Sequence, residues 1–107
     1  MKNDVAYKLT QIAEIDLQNL KYYSKHAFGE KRTIEYIRSI HEKCLKIAAL
    51  PHLGFKRDDI RSDLRSAICE SHVIFYKRLE NEILIFRILH KSMDIEMNLK
   101  LVDLETM

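Results

Sequence analysis

The amino-acid sequence predicts an α+β domain of order β-α-α-β-β-β, with a helical hairpin packed on an antiparallel sheet. Three observations carry this. Residues 5–9 alternate apolar and polar in period two. Two helical stripes follow, separated by Gly29. Beyond residue 63 the period changes back to that of strands. The chain has 107 residues, 47% of them hydrophobic and 32% charged, which suits one globular domain. Only 2 Gly and 1 Pro argue against a loop-rich architecture.

Val5-Ala6-Tyr7-Lys8-Leu9 reads as the first strand. Thr10 then caps a helix through its hydroxyl. Ala13, Leu17, Leu20, Ser24 and Ala27 recur at spacings of three and four, with Ile12 and Ile15 widening the stripe, and Gly29 ends the helix. Ile34, Ile37, Ile40, Cys44 and Ile47 form the apolar face of a second helix, with Glu35, Arg38, Glu42 and Lys46 on the polar side. Leu50-Pro51 stops it, because a residue before proline avoids helical backbone. So short a link at Gly29 makes the pair an antiparallel hairpin.

Residues 51–63 read as a loop with a turn of helix near Asp58-Asp59-Ile60. The charges of Lys56 to Arg65 alternate in sign, which fits a solvated loop or a presented recognition loop. Strands are expected at Leu64–Cys69, His72–Lys77 and Glu82–His90, the last two joined by a polar turn at Glu80-Asn81. In the last strand Ile83, Ile85, Arg87 and Leu89 alternate with Leu84, Phe86, Ile88 and His90, so both faces are apolar. Only one can meet the hairpin, and an antiparallel sheet with a wet face carries polar residues there. The second face therefore needs a cover: the tail, through Met93, Ile95, Met97, Leu99 and Leu101, or a partner chain.

The charge pattern limits the chemistry. Residues 1–54 hold 9 basic and 6 acidic side chains, residues 55–91 hold 8 and 6, and residues 92–107 hold 1 and 4. This mildly basic body with an acidic tail lacks the dense basic stripe of a dedicated duplex binder. No apolar run approaches the roughly 18–20 residues of a membrane span, and the first ten residues lack a signal-peptide core, so a cytoplasmic protein is expected. Cys44 and Cys69 form neither a disulfide framework nor a zinc pattern, and read as small buried hydrophobes. No phosphate loop, nucleophile elbow or metalloprotease motif occurs, so no catalytic residue, metal or cofactor is assigned. Arg87 on an apolar strand must find a partner, such as an aspartate in a structural ion pair. His90, at a strand end beside Lys91, is the histidine most suggestive of function. His72 reads as half-buried in the sheet.

Three segments carry a family resemblance: Lys56 to Ser66, Ser71-His72-Val73-Ile74-Phe75-Tyr76, and Arg87-Ile88-Leu89-His90-Lys91-Ser92-Met93-Asp94. Together with Tyr7-Lys8-Leu9, Asp16-Leu17, Tyr22-Tyr23, Phe28-Gly29 and the Leu50-Pro51 to Gly54 turn, they resemble the ParE toxins of the RelE/ParE superfamily over about residues 5–95. The division expected from this is a toxin domain at 5–95 and an acidic tail at 96–107. The resemblance implies a type II toxin–antitoxin module, a ParD-like antitoxin as partner, and inhibition of DNA gyrase by protein–protein binding, which blocks replication. DNA is then contacted only indirectly, through the antitoxin, and no membrane is involved. The alternative is a ribosome-dependent messenger-RNA endoribonuclease of the RelE type, using Arg65, Arg87 and His90.

Candidate target contacts are Arg87, His90, Lys91, Ser92, Met93 and Asp94, a segment expected to leave the sheet edge. Candidate antitoxin contacts are Ile12, Tyr22, Tyr23 and Tyr36, which lie off the main helical stripes, with Ile83 and Ile85 on the second sheet face.

Overall fold

The structure, a computed structural model, describes residues 7–99. Its elements are β1 (Tyr7–Leu9), α1 (Gln11–Phe28), α2 (Glu30–Ala49), β2 (Phe55–Lys56), β3 (Leu64–Cys69), β4 (His72–Arg78) and β5 (Ile83–His90). A further helical segment runs over residues 95–99. The order is the expected one with a short strand added, since Phe55 and Lys56 pair with Ser66 and Arg65 inside the loop. The five strands lie in the order β1-β5-β4-β3-β2. The sheet is mixed, because β1 runs parallel to β5 with Tyr7 opposite Ile83, and the other ladders are antiparallel. A strand returning through a helical hairpin and three further strands can dock in either direction, and residues 7–9 carry no signal that selects one.

Thr10 caps α1 as its sequence suggests. Its Oγ1 accepts from Ala13 N at 3.0 Å and donates to Phe86 O at 2.8 Å, which ties the helix start to the sheet. Gly29 closes α1 and opens α2 at φ +92°, a conformation that costs glycine nothing. Ser24 and Thr33 are both buried and bonded at 3.0 Å where the helices diverge from this turn.

The first core lies between the hairpin and one sheet face. It holds Ala13, Leu20, Ile40, Cys44, Ile47, Ala67, Cys69, Ile74, Tyr76, Ile83, Ile85 and Ile88. Both cysteines are buried and unbridged. Two isoleucines assigned to the helical stripes lie outside it: Ile15 and Ile34 are exposed. At 3.6 residues per turn, Ile15 sits about 160° round from Ala13, and Ile34 about 120° round from Ile40. Thr33 takes the inward position instead. Ala27 is also exposed, near the hairpin tip.

The second core covers the other face with Leu64, Phe75, Phe86, Leu89 and Leu99, flanked by Ile12, Ile60, Val73, Leu84 and Ile95. The cover is thus supplied within the chain by Ile95 and Leu99 from the tail and Ile60 from the loop. Met93 and Met97 stay exposed, and Leu101 lies outside the described residues.

One irregularity reassigns the faces of β5. Arg87 opposes Phe75 and Ile85 opposes Tyr76, so Phe86 is an extra residue with no partner in the ladder. Such a bulge breaks the period-two alternation. Ile83 and Ile85 therefore share the hairpin face with Ile88, while Phe86 and Leu89 share the other. The simple alternation expected from the sequence holds only up to the bulge.

Candidate functional site

The chain leaves the sheet edge at the start of α1, because β1 pairs with β5 only as far as Ile85. Beyond that point the edge of β5 is open, and Asp16 fills it. Its Oδ2 accepts from Ile88 N at 3.0 Å, and its carboxylate receives Arg87 Nε and Nη2, each at 2.8 Å. Arg87 Nη1 donates to Asn98 O at 2.6 Å, which joins the terminal helical segment to the same cluster. The expected aspartate partner of Arg87 is thus present.

Next to this cluster, between the distal half of α1, the start of α2 and the end of the sheet, lies a cleft of about 600 Å³. Leu20 and Ile88 line it with Tyr23, Phe28 and Met93, which are all exposed. Its polar wall comes from the β3–β4 turn and the end of β5. Tyr36 Oη accepts from Ser71 N at 3.0 Å, lies 2.7 Å from His72 Nδ1 and reaches Cys69 O at 3.3 Å. One phenol therefore clamps the turn, and its burial raises its pKa and keeps it protonated. His72 stacks edge-on with His90, ring centroids 5.2 Å apart. Burial, reinforced by the neighbouring His90, pushes the His72 pKa down to about 4, so its ring is neutral near pH 7. Ser92 N donates to His90 Nδ1 at 3.1 Å, so the neutral ring carries its proton on Nε2.

The residues singled out in the sequence now separate. Tyr23, Tyr36, His90, Ser92 and Met93 are brought together around the cleft. Tyr22 is exposed beside it and stacks on His26, their ring centroids 4.4 Å apart. Lys91 and Asp94 are exposed, but the segment is a folded turn and not a free tip. Lys91 N donates to Ser71 O, Met93 N to His90 O, and Asp94 caps the terminal segment by accepting from Met97 N.

Four assignments change. Ile83 and Ile85 are 2% and 0% exposed in the first core and offer no surface to an antitoxin. Ile12 is part of the second core's flank. Arg87 is 6% exposed and committed to Asp16 and Asn98, so it is not an available target contact. The same pairing withdraws it from the nuclease set. Arg65 lies across β4 from His90 and four positions along it, about 13 Å in the strand direction alone, since it opposes Tyr76 while His90 opposes His72. Among the described residues no group of His, Cys, Asp and Glu could hold a metal ion.

Asp16, Phe28, Arg32 and Ser71 also line the cleft and were not among the sequence candidates. Their one sequence signal was that Asp16, Phe28 and Ser71 fall within the stretches carrying the family resemblance. Arg32, which stands 6.0 Å over the Phe28 ring, gave none.

Comparison with known proteins bears on this arrangement. Residues 7–95 match the family described as ParE toxin of type II toxin-antitoxin system, parDE. The chain is 32% identical over 88 residues to Toxin ParE1 of Caulobacter vibrioides, covering 82% of this chain and 91% of that protein. It is 31% identical over 91 residues to Toxin ParE of Escherichia coli, covering 84% and 88%. A solved chain of the chromosomal ParDE TA system from P. aeruginosa superposes with a TM-score of 0.69 at 19% identity, over 80% of this chain and 95% of that one, a likeness of fold.

Proposed function

The chain belongs to the ParE toxin family of type II toxin–antitoxin systems, and from that premise we propose that it inhibits DNA gyrase by binding it, without breaking a bond. An antitoxin is the partner that membership in such a system supplies. The observation that carries the gyrase reading is the cleft. It has an aromatic and methionine rim over a polar wall whose hydrogen bonds are already formed, the composition of a protein anchor site. The nuclease alternative needs Arg65, Arg87 and His90 around one phosphate, and these are dispersed.

In this reading the turn His90-Lys91-Ser92-Met93-Asp94 engages the target, and Tyr22 and Tyr23 hold the antitoxin. Tyr23 and Met93 line the same cleft, so an antitoxin segment seated on Tyr23 covers the target-binding turn. Neutralisation is then occlusion. Among the described residues no helix is long and apolar enough to cross a membrane, and none is needed for this role.

The test is a titration of purified toxin against gyrase supercoiling, beside a translating extract scored for messenger-RNA cuts. Wild type is expected to inhibit supercoiling and leave the message intact. Met93→Asp is expected to weaken inhibition by roughly tenfold or more, the size of a lost hot spot. Messenger cleavage that disappears with His90→Ala, with supercoiling unaffected, overturns the proposal in favour of the nuclease.

A further inference from the structure

A second cavity, of about 320 Å³, lies at the other end of β4 from the cleft. His72 borders the cleft and Arg78 borders this cavity, some 20 Å apart along the strand. Pro51, His52, Lys56, Asp58, Asp63, Leu64 and Arg65 complete its lining.

Lys56 and Arg65 are direct cross-strand partners in the β2–β3 ladder. Directly opposed side chains project from one face with Cβ atoms about 4.5–5.5 Å apart, and like charges placed so repel. Arg78 falls on the same face, two positions after Tyr76, which opposes Arg65. Among the described residues, none of these three cations lies within ion-pair distance of a carboxylate. The ladder therefore brings three positive charges together with no direct ion pair, beside the two carboxylates of Asp58 and Asp63, so the lining keeps a net positive charge.

Arg65 is also fixed in place. Its Nη1 donates to Gly54 O at 2.8 Å and its Nη2 lies 3.2 Å from His52 Nδ1, which among the described residues leaves three of its five N–H groups unused. The 51–54 loop that receives it is itself pinned. Tyr76 Oη accepts from Gly54 N at 2.8 Å and donates to Pro51 O at 2.9 Å. A Cβ on residue 54 would stand 2.5 Å from Ser66 O and 2.7 Å from Tyr76 Oη, so only glycine fits. Asp58 and Asp63 form the remaining wall, where Asp58 Oδ1 accepts from Asp63 N at 3.2 Å and holds the turn.

We propose that this cavity binds a phosphate of a nucleic-acid backbone. A planar guanidinium with unused donors, held by carbonyl and imidazole, is suited to a tetrahedral oxyanion. Lys56 and Arg78 are exposed and can close on the same phosphate or reach its neighbours along a strand. Among the described residues no phenylalanine, tyrosine or tryptophan lines the cavity, and its one imidazole, His52, is held against Arg65, so binding reads phosphate and not base. The site departs from the sequence expectation that DNA is met only through the antitoxin. It stands apart from the cleft, so protein and nucleic acid can be held together.

The experiment measures binding of a labelled random-sequence DNA duplex to the full chain across a salt series. It uses wild type, Lys56→Gln/Arg78→Gln, and a control with the same charge change in the distal half of α1 of the hairpin, Lys21→Gln/Lys25→Gln. The cavity variant is expected to bind roughly tenfold more weakly and to lower the salt slope by about 2, one unit per lost phosphate contact. The hairpin variant should lose clearly less. Inorganic phosphate should raise the melting temperature of wild type above that of the cavity variant at matched ionic strength. Equal losses in both variants, or no duplex binding by wild type at low salt, overturn the proposal. Stabilisation by inorganic phosphate without duplex binding makes the cavity a small-anion site and also overturns it.

Discussion

Replacing Asp16 with alanine removes the acceptor of three hydrogen bonds at once, two from Arg87 and one from Ile88 N. The two charged side chains are only 7% and 9% exposed, so water cannot take the place of the carboxylate. An uncompensated buried charge costs about 3–5 kcal/mol, and the orphaned Ile88 N–H adds to it on a scale of about 1–3 kcal/mol. Against a typical stability of about 5–15 kcal/mol this is a large fraction of the total. Even its lower bound shifts the melting temperature by about 12 °C for a domain of this size. The assay is urea and thermal unfolding of toxin refolded from its antitoxin complex. The double variant Asp16→Leu/Arg87→Met should recover much of the loss, because exchanging a buried pair for apolar groups is often neutral. It will not recover all, since Ile88 N and Asn98 O stay without partners. An Asp16→Ala chain within about 1 kcal/mol of wild type would refute the reasoning. So would an Arg87→Met chain of unchanged stability that no longer inhibits, which would return Arg87 to the role of target contact.

Ile47 is fully buried, so Ile47→Asp should abolish folding, seen as loss of the helical circular-dichroism signal, because an unpaired buried carboxylate costs several kcal/mol. His90→Ala should weaken gyrase inhibition by about 1–2 kcal/mol, far short of the thousandfold expected on removing a catalytic acid, as read from the inhibition titration. The His72 pKa of about 4 lies below its unfolded value near 6.5, so the unfolded chain takes up the proton first. Stability should therefore be full above about pH 6.5 and fall as the pH drops towards 4; urea midpoints for His72→Gln should show a shallower acid slope, and an identical slope would count against this assignment. Truncation after Leu89 removes Ile95 and Leu99 from the second core and Asn98 O from Arg87, so the shortened chain should unfold, and retention of antitoxin binding by it would show the tail to be dispensable.

Periodicity made most of this fold legible, because each helix turns one stripe inward and the strands alternate between the two cores. Ala13, Leu20 and Ser24, and Ile40, Cys44 and Ile47, lie inside where their spacing puts them. Leu64–Cys69 has the same ends in sequence and structure. The requirement that an apolar second face be covered also led correctly to Ile95 and Leu99. What could not be read depends on contacts between distant segments. β1 runs parallel to β5, and a short strand lies inside a charged loop. The bulge at Phe86 carries no glycine or proline to announce it. The cleft was half legible: Tyr23, Tyr36, His90 and Met93 were singled out individually. Their juxtaposition depends on where α1 is anchored on the sheet, which is fixed by Thr10 bonding to Ile85 and Phe86 some 75 positions away.

That bulge is the step from which the functional geometry follows. Without it, Ile88 would sit on the face opposite Ile83 and Ile85, and one strand could not feed both cores in the observed way. With it, β5 presents Ile88 to the cleft, commits Arg87 to Asp16 at the open edge and delivers His90 beside His72. The turn after His90 then has no freedom to swing out. Lys91 N is held by Ser71 O, His90 Nδ1 by Ser92 N, and the following segment by Arg87 and by Leu99 in the second core. A recognition element so restrained loses little conformational freedom on binding, which favours affinity from few contacts. It also means that a change in the second core, on the far side of the sheet, should be felt at the turn. The sequence suggested that the segment after the last strand, Lys91 to Asp94, leaves the sheet edge as a tip. The hydrogen bonds describe one unit in which the tip is positioned by the core beneath it.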